Sequence, residues 1–173
     1  RILDLLATGH DAADALARSL DGRKHTDYRQ ITVIDHHGTT ASHTGAHILG
    51  TNAISDDTDC LAAGNLLKSI EVPAAMTDTF VANAERHLAE RLLRSLEAGL
   101  AAGGEAGPVH SAALIVVDHE PFPLVDLRCD WDQESGVAAL RRLWNDYAPQ
   151  MEAYRTRALD PTRAPSYGVP GDL

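Results

Sequence analysis

Apolar positions recur along this chain with two different periods, and the alternation between them predicts its elements. Residues 2–8 form a dense apolar stretch closed by Gly9, which reads as the end of a helix with a C-terminal glycine. Asp11, with Asp14 three residues on, predicts the capped start of a second helix over 12–20. "DGRKHTD" is a loop. Residues 29–35 and 39–44 are rich in β-branched side chains around Gly38, the pattern of a β-hairpin. Residues 46–57 read as polar and irregular. "CLAAGNLL" reads as a short strand running into a turn. Helices are predicted over 72–82 and 85–102, the second from Leu88, Leu92, Leu93, Leu96 and Leu100 at helical spacing. "SAALIVVD" is continuously apolar and reads as a buried strand. "PLVDLRCDW" alternates Val125, Leu127 and Cys129 against Asp126, Arg128 and Asp130, a second strand. Residues 134–158 read as one long helix.

The element order is helices, hairpin, strand, two helices, two strands, helix. Adjacent strands suit antiparallel pairing, with helices covering the sheets, so the predicted class is α+β. Residues 1–158 are assigned to one domain and 159–173 to an extended Pro- and Gly-rich tail. The chain opens on Arg1-Ile2-Leu3-Asp4 inside an apolar helical pattern, without a capping residue. It is therefore expected to be the downstream part of something longer. With further strands upstream, the layers become a four-layer α-β-β-α sandwich.

Charge narrows the function classes. There are 25 acidic against 15 basic residues, a formal net charge of −10. The basic stripe that nucleic acid requires is absent, and an anionic membrane is an equally poor partner. Cys60 and Cys129 stand alone, with no CxxC pair, which fits a reducing compartment and a cytoplasmic location. The apolar run 112–117 is far too short to span a bilayer. No cofactor is expected.

Nine histidines raise the question of a metal, and four of them fall in "ITVIDHHGTTASHTGAH". In a regular hairpin turning at His36-His37-Gly38, His43 lies on the order of 13 Å from the tip, at ~3.4 Å per residue. Zinc–nitrogen bonds are ~2.0–2.1 Å, so the tip histidines and His43 cannot share one ion. "HTGAH" lacks the glutamate and the helix of a zincin motif. His43 and His47 converge only if the chain bends at Gly45. His36 and His37 read as exposed turn residues.

"RQITVIDHHGTTASHTGAH", "AGNLL", "LAERLLRSLEAGLAAGGE", "HSAALIVVD" and "VDLRCD" occur here in an order that resembles the Ntn-hydrolase-like family called domain of unknown function 1028. The resemblance runs from Arg1 to about Trp144, and the tail "RALDPTRAPSYGVPGD" is similar to that of longer members. It implies the four-layer α-β-β-α sandwich of the Ntn-hydrolase type, with the first strands on an upstream segment. In Ntn hydrolases the nucleophile is an N-terminal Thr, Ser or Cys, with its own α-amine as base. This chain departs from that pattern. Arg1 cannot be a nucleophile, and "AHILGTNAISDDTD" lacks the Cys and the Trp-Ala-Gly-like stretch expected there.

Three functions compete. The first is an Ntn-type amidohydrolase acting on a small amide or ureide C–N bond, its nucleophile on an upstream segment of the same precursor. The second is a metal-dependent hydrolase or metal-binding protein using His43, His47 and His119. The third is a non-catalytic ligand-binding or oligomer-forming protein. A small-molecule substrate and self-association into a homo-oligomer are expected. The catalytic candidates are Asn65, as an oxyanion donor beside the flexible Gly64, and His43, to orient substrate or water. Thr44, Gly45, Gly64, Ser111 and Arg128 are substrate-binding candidates. Each also has a plainer structural reading: Asn65 as a turn cap, His43 bonded to a backbone carbonyl, Gly45 as a turn residue, Ser111 as a strand end, Arg128 in a surface ion pair. Because turn-tip side chains make few contacts, replacing His36 and His37 together with Asn is expected to change stability by no more than about 0.5 kcal/mol in thermal melts. Bound metal, measured on the same samples, is expected to be unchanged.

Overall fold

In the computed structural model, Gly9 takes φ +92° and ends α1 (Ile2–Ala7). Its N–H donates to Leu6 O at 3.0 Å and that of His10 to Leu5 O at 3.1 Å, the paired bonds that satisfy a helix's last carbonyls. α2 (Ala12–Leu20) begins where Asp11 accepts from the Asp14 N–H at 2.8 Å. Ala12, Ala15, Leu16 and Ser19 form its buried stripe at helical spacing. The structure describes residues 1–166, and the chain divides into two compact units, Arg1–Pro108 and Val109–Leu173.

In the first unit, β1 (Gln30–Ile34) pairs antiparallel with β2 (Thr40–Thr44), from Gln30 opposite Thr44 to Ile34 opposite Thr40. Side chains alternate across a strand, so one face of this hairpin offers Ile31, Val33 and Ala41 to α2. There Ala12, Leu16 and Val33 form a core joined by Ile2, Leu6 and Leu20. The turn between the strands is built on Asp35. Its carboxylate accepts from the N–H groups of His37 at 2.9 Å, Thr39 at 3.1 Å and Ala12 at 3.2 Å. Gly38, at φ +80°, lets the loop close.

The stretch predicted as irregular contains a strand. β3 (Ala53–Asp57) pairs with β4 (Cys60–Gly64) across a two-residue turn, with Asp59 at φ +56°. Its alternation is hidden because a core-facing position is polar: Ser55 bonds Thr77 hydroxyl to hydroxyl at 2.8 Å. Thr77 lies on α3 (Val72–Ala82), which packs against β3, β4 and α4 (Leu88–Ala101). α4 starts three residues later than its periodicity suggests, because the His87 ring accepts from the Ala89 N–H at 3.1 Å and caps it. Gly99 admits Met76 at the crossing of these helices, where a Cβ would lie 2.8 Å from the Met76 side chain. The Arg91 guanidinium sits 3.7 Å over the Phe80 ring.

In the second unit, β5 (Ala112–Val116) pairs antiparallel with β6 (Val125–Cys129). α5 (Gly136–Tyr147) contacts both strands, and Val137, Leu140 and Trp144 are buried along with Leu114, Val116 and Val125. The expectation of a fully buried first strand is corrected: Ile115 is 58% and Val117 70% exposed. The single long helix is also corrected. Pro149 has no N–H to donate, and the chain passes through a 3₁₀ turn, Ala148–Gln150, before α6 (Met151–Leu159). In the tail, Pro161–Arg163 form another 3₁₀ turn, capped by Asp160, and residues 167–173 lie outside the described residues. No helix among the described residues is long and apolar enough to cross a membrane.

Asp35 gives this fold an acid limb. Burial opposes its ionisation and is the largest single influence. The N–H donors of His37, Ala12 and Thr39, with the nearby His37 ring, together outweigh it and hold the carboxyl below its ordinary range. A depressed folded pKa contributes stability that is present above the unfolded value and lost as pH falls through the folded one. Asp35→Asn is expected to lower the melting temperature at pH 7. It is also expected to flatten the decline in stability below about pH 4, as read from thermal melts across pH.

Candidate functional site

The polar candidates of the first unit gather where the ends of its two hairpins meet. Gln30 opens β1, and its side-chain amide donates to Gly64 O, at the end of β4, at 3.3 Å. The same nitrogen reaches Thr44 Oγ1, at the end of β2, at 3.5 Å, the outer limit of a hydrogen bond. At their other ends the hairpins are joined by Thr40, whose hydroxyl donates to Asp56 Oδ2 at 3.3 Å. Gly38 lies against the Asp59 carboxylate, which a side chain at this position would displace.

Asn65 follows directly on β4 and is exposed. The backbone after it is fixed from both sides. Leu66, at φ +53°, donates to Leu49 O at 3.1 Å, Leu67 donates to Thr51 O at 2.9 Å, and the Ala106 N–H donates to Leu66 O at 2.7 Å. The Asn65 amide itself makes no hydrogen bond among the described residues. It is therefore held in place yet free to engage a ligand. Gly64 is closely packed against Leu67, where a Cβ would lie 2.7 Å from the leucine side chain.

His43 stands apart from this group. Its register partner is Ile31, so it shares the hairpin face of Ala41 and Val33, whereas Thr44 and Gln30 share the other. His43 Nε2 donates to Thr26 O at 3.0 Å, which fixes the ring and leaves Nδ1 as its acceptor in the neutral form. Gly45 is buried, donates to Arg29 O at 2.9 Å, and packs on the backbone of Asp27. The close approach it permits is to its own chain. His47 turns to Tyr28, with ring centroids 4.9 Å apart, so His43 and His47 serve different neighbours. Among the described residues no group of three or more His, Cys, Asp or Glu is placed to hold a metal ion. Cys60 is no activated nucleophile, because burial pushes its thiol above the ordinary value.

Ser111, Arg128 and His119 belong to the second unit. Ser111 is exposed, and its backbone abuts Gly136, where a Cβ would lie 2.6 Å from the Ser111 carbonyl carbon. Arg128 Nε is 2.7 Å from Asp130 Oδ1 in an exposed pair. His119 is 89% exposed beside Asp118. Sequence reasoning passed over Gln30 and Asp35. Asp35 carried a local signal, an acid immediately before a Gly-containing turn. Gln30 carried none, since its partner lies 34 residues away.

The chain belongs to the family described as "Family of unknown function (DUF1028)", which it matches over residues 1–140. It is also similar to a solved structure, protein SPO2555 from Silicibacter pomeroyi, assigned to that same family. The two superpose with a TM-score of 0.77 at 28% sequence identity, covering 85% of this chain and 64% of that one. This chain thus spans less than two thirds of that protein's length. No curated protein matches it.

The close packing at Gly45 generates a measurable expectation. In Gly45→Ala the new methyl would lie 2.6 Å from Asp27 Cα. Overpacking against backbone is expected to cost roughly 1–3 kcal/mol in denaturant unfolding. A glycine needed only for ligand approach would show normal stability and weakened binding instead.

Proposed function

We propose that this chain carries the substrate-holding part of an amidohydrolase of the Ntn type, acting on a small amide or ureide C–N bond. The hairpins are then pieces of an α-β-β-α sandwich, and the nucleophile resides on a segment upstream of Arg1. The observation that carries the reading is the junction made by Gln30, which brings Thr44 to Gly64, the residue before Asn65, whose amide is unengaged. In this reading the Asn65 amide and the Thr44 hydroxyl offer hydrogen bonds to the substrate carbonyl as negative charge develops on it. His43 positions the 26–29 loop through the Thr26 carbonyl.

A second reading is ligand binding without turnover. It is favoured by the placement of His43 and Thr44 on opposite faces of the hairpin, which sets the His43 ring apart from the donors. Screening small amides, ureides and lactams for ammonia or amine release, with protein that carries the upstream segment, separates the two. With a substrate in hand, Asn65→Ala is expected to lower kcat by about 10²–10³ with KM little altered and the melting temperature retained. If Asn65 only stabilises its turn, the variant loses roughly 1 kcal/mol of stability and turns over normally per folded molecule. Binding of panel members without release of product would select the second reading.

A further inference from the structure

A second feature of the first unit lies outside this junction. A cleft of ≈ 520 Å³ is bounded by α1, the end of α2 and the segment leading into β1. Arg1, Arg23 and Arg29 line it, and no Asp or Glu does. That is unexpected in a chain with 25 acidic and 15 basic residues. The guanidinium groups of Arg1, Arg23 and Arg29 have no hydrogen-bond or ion-pair partner among the described residues. Other arginines have acidic partners: Arg18 with Asp14, Arg94 with Glu90, Arg128 with Asp130, Arg142 with Asp132. Leu20 and Ile31 give the cleft an apolar wall. Ser19, also in the lining, is only 6% exposed, and its hydroxyl has no partner. A buried hydroxyl left unpaired costs stability, which a bound acceptor or its water would offset.

We propose that this cleft binds a small organic anion, with its oxyanion head on Arg23 and Arg29 and a short apolar body against Leu20 and Ile31. Guanidinium groups suit this role because their planar forks meet the two oxygens of a carboxylate, or those of a phosphate ester, in parallel hydrogen bonds. The concentration of unpaired positive charge also draws an anion toward one place on an otherwise acidic molecule. The site does not depend on hydrolysis at Asn65, and equilibrium binding tests it separately.

The test is isothermal titration of the chain at fixed ionic strength with butyrate, butyramide and inorganic phosphate. Saturable butyrate binding at least about tenfold tighter than butyramide is expected, since only the anion engages the guanidinium groups. Phosphate binding tighter than butyrate would assign the head group to a phosphate ester; the reverse order assigns it to a carboxylate. Arg23→Gln and Arg29→Gln are each expected to weaken the better anion about tenfold. Lys68→Gln, the same change of charge outside the cleft, is expected to leave binding unchanged. Circular dichroism verifies that the variants fold, and Arg23→Lys, which keeps the charge, is expected to retain part of the affinity. The proposal is overturned if neither anion binds more tightly than butyramide, or if Lys68→Gln weakens binding as much as the arginine variants do.

Discussion

Asp35 is the only buried charged side chain among the described residues, and the first unit is organised around it. A carboxylate taken out of water must have its oxygens satisfied, and here three backbone N–H groups do so. Two come from the hairpin turn and one from the first turn of α2. A single side chain thus shapes the β1–β2 turn and fastens the helix that covers that hairpin. The apolar contacts of Ala12 and Leu16 with Val33 supply non-directional attraction, while the carboxylate sets the position of the helix start against the turn.

Downstream of that anchor, the two hairpins of the first unit are held together by side chains and not by a shared ladder. β1–β2 and β3–β4 are separate two-stranded sheets. Gln30 joins them at one end and Thr40 with Asp56 at the other. Two-stranded sheets are marginal alone and need a packed face, which α2 provides for one hairpin and α3 for the other. Their remaining polar edge residues are then available for recognition. Thr44, Gly64 and Asn65 owe their proximity to this junction, whereas His43 is turned toward the α2 face by the strict alternation of a strand.

Polar chemistry in this chain is mostly committed to structure. His10 pairs with Asp14, His87 caps α4, and His110 Nδ1 donates to the Asp132 carbonyl while its ring stacks on Trp131 at 4.2 Å. Against that background the groups left unengaged are informative. The Asn65 amide at the hairpin junction and the arginines of the α1–α2 cleft are offered to solvent with their local backbone fixed.

The sequence alone determined most of the elements, because their signals are local. Gly9 and Asp11 mark helix ends through bonds to residues three to five positions away. The leucines of α4, the alternation of β6 and Gly38 in its turn were equally legible. β3 was not, because Ser55 satisfies its inward position through Thr77, 22 residues later, and no local pattern encodes that bond. The break at Pro149 was written in the sequence, yet the apolar periodicity on either side masked it. For the site, the sequence supplied the residue types and tertiary structure decided their company. Register separated His43 from Thr44 and placed Gly45 against Asp27. The packing of one hairpin on another brought Gln30 to Gly64. Strand register and hairpin packing are fixed by contacts between residues distant in the chain, so neighbours in sequence need not share a site.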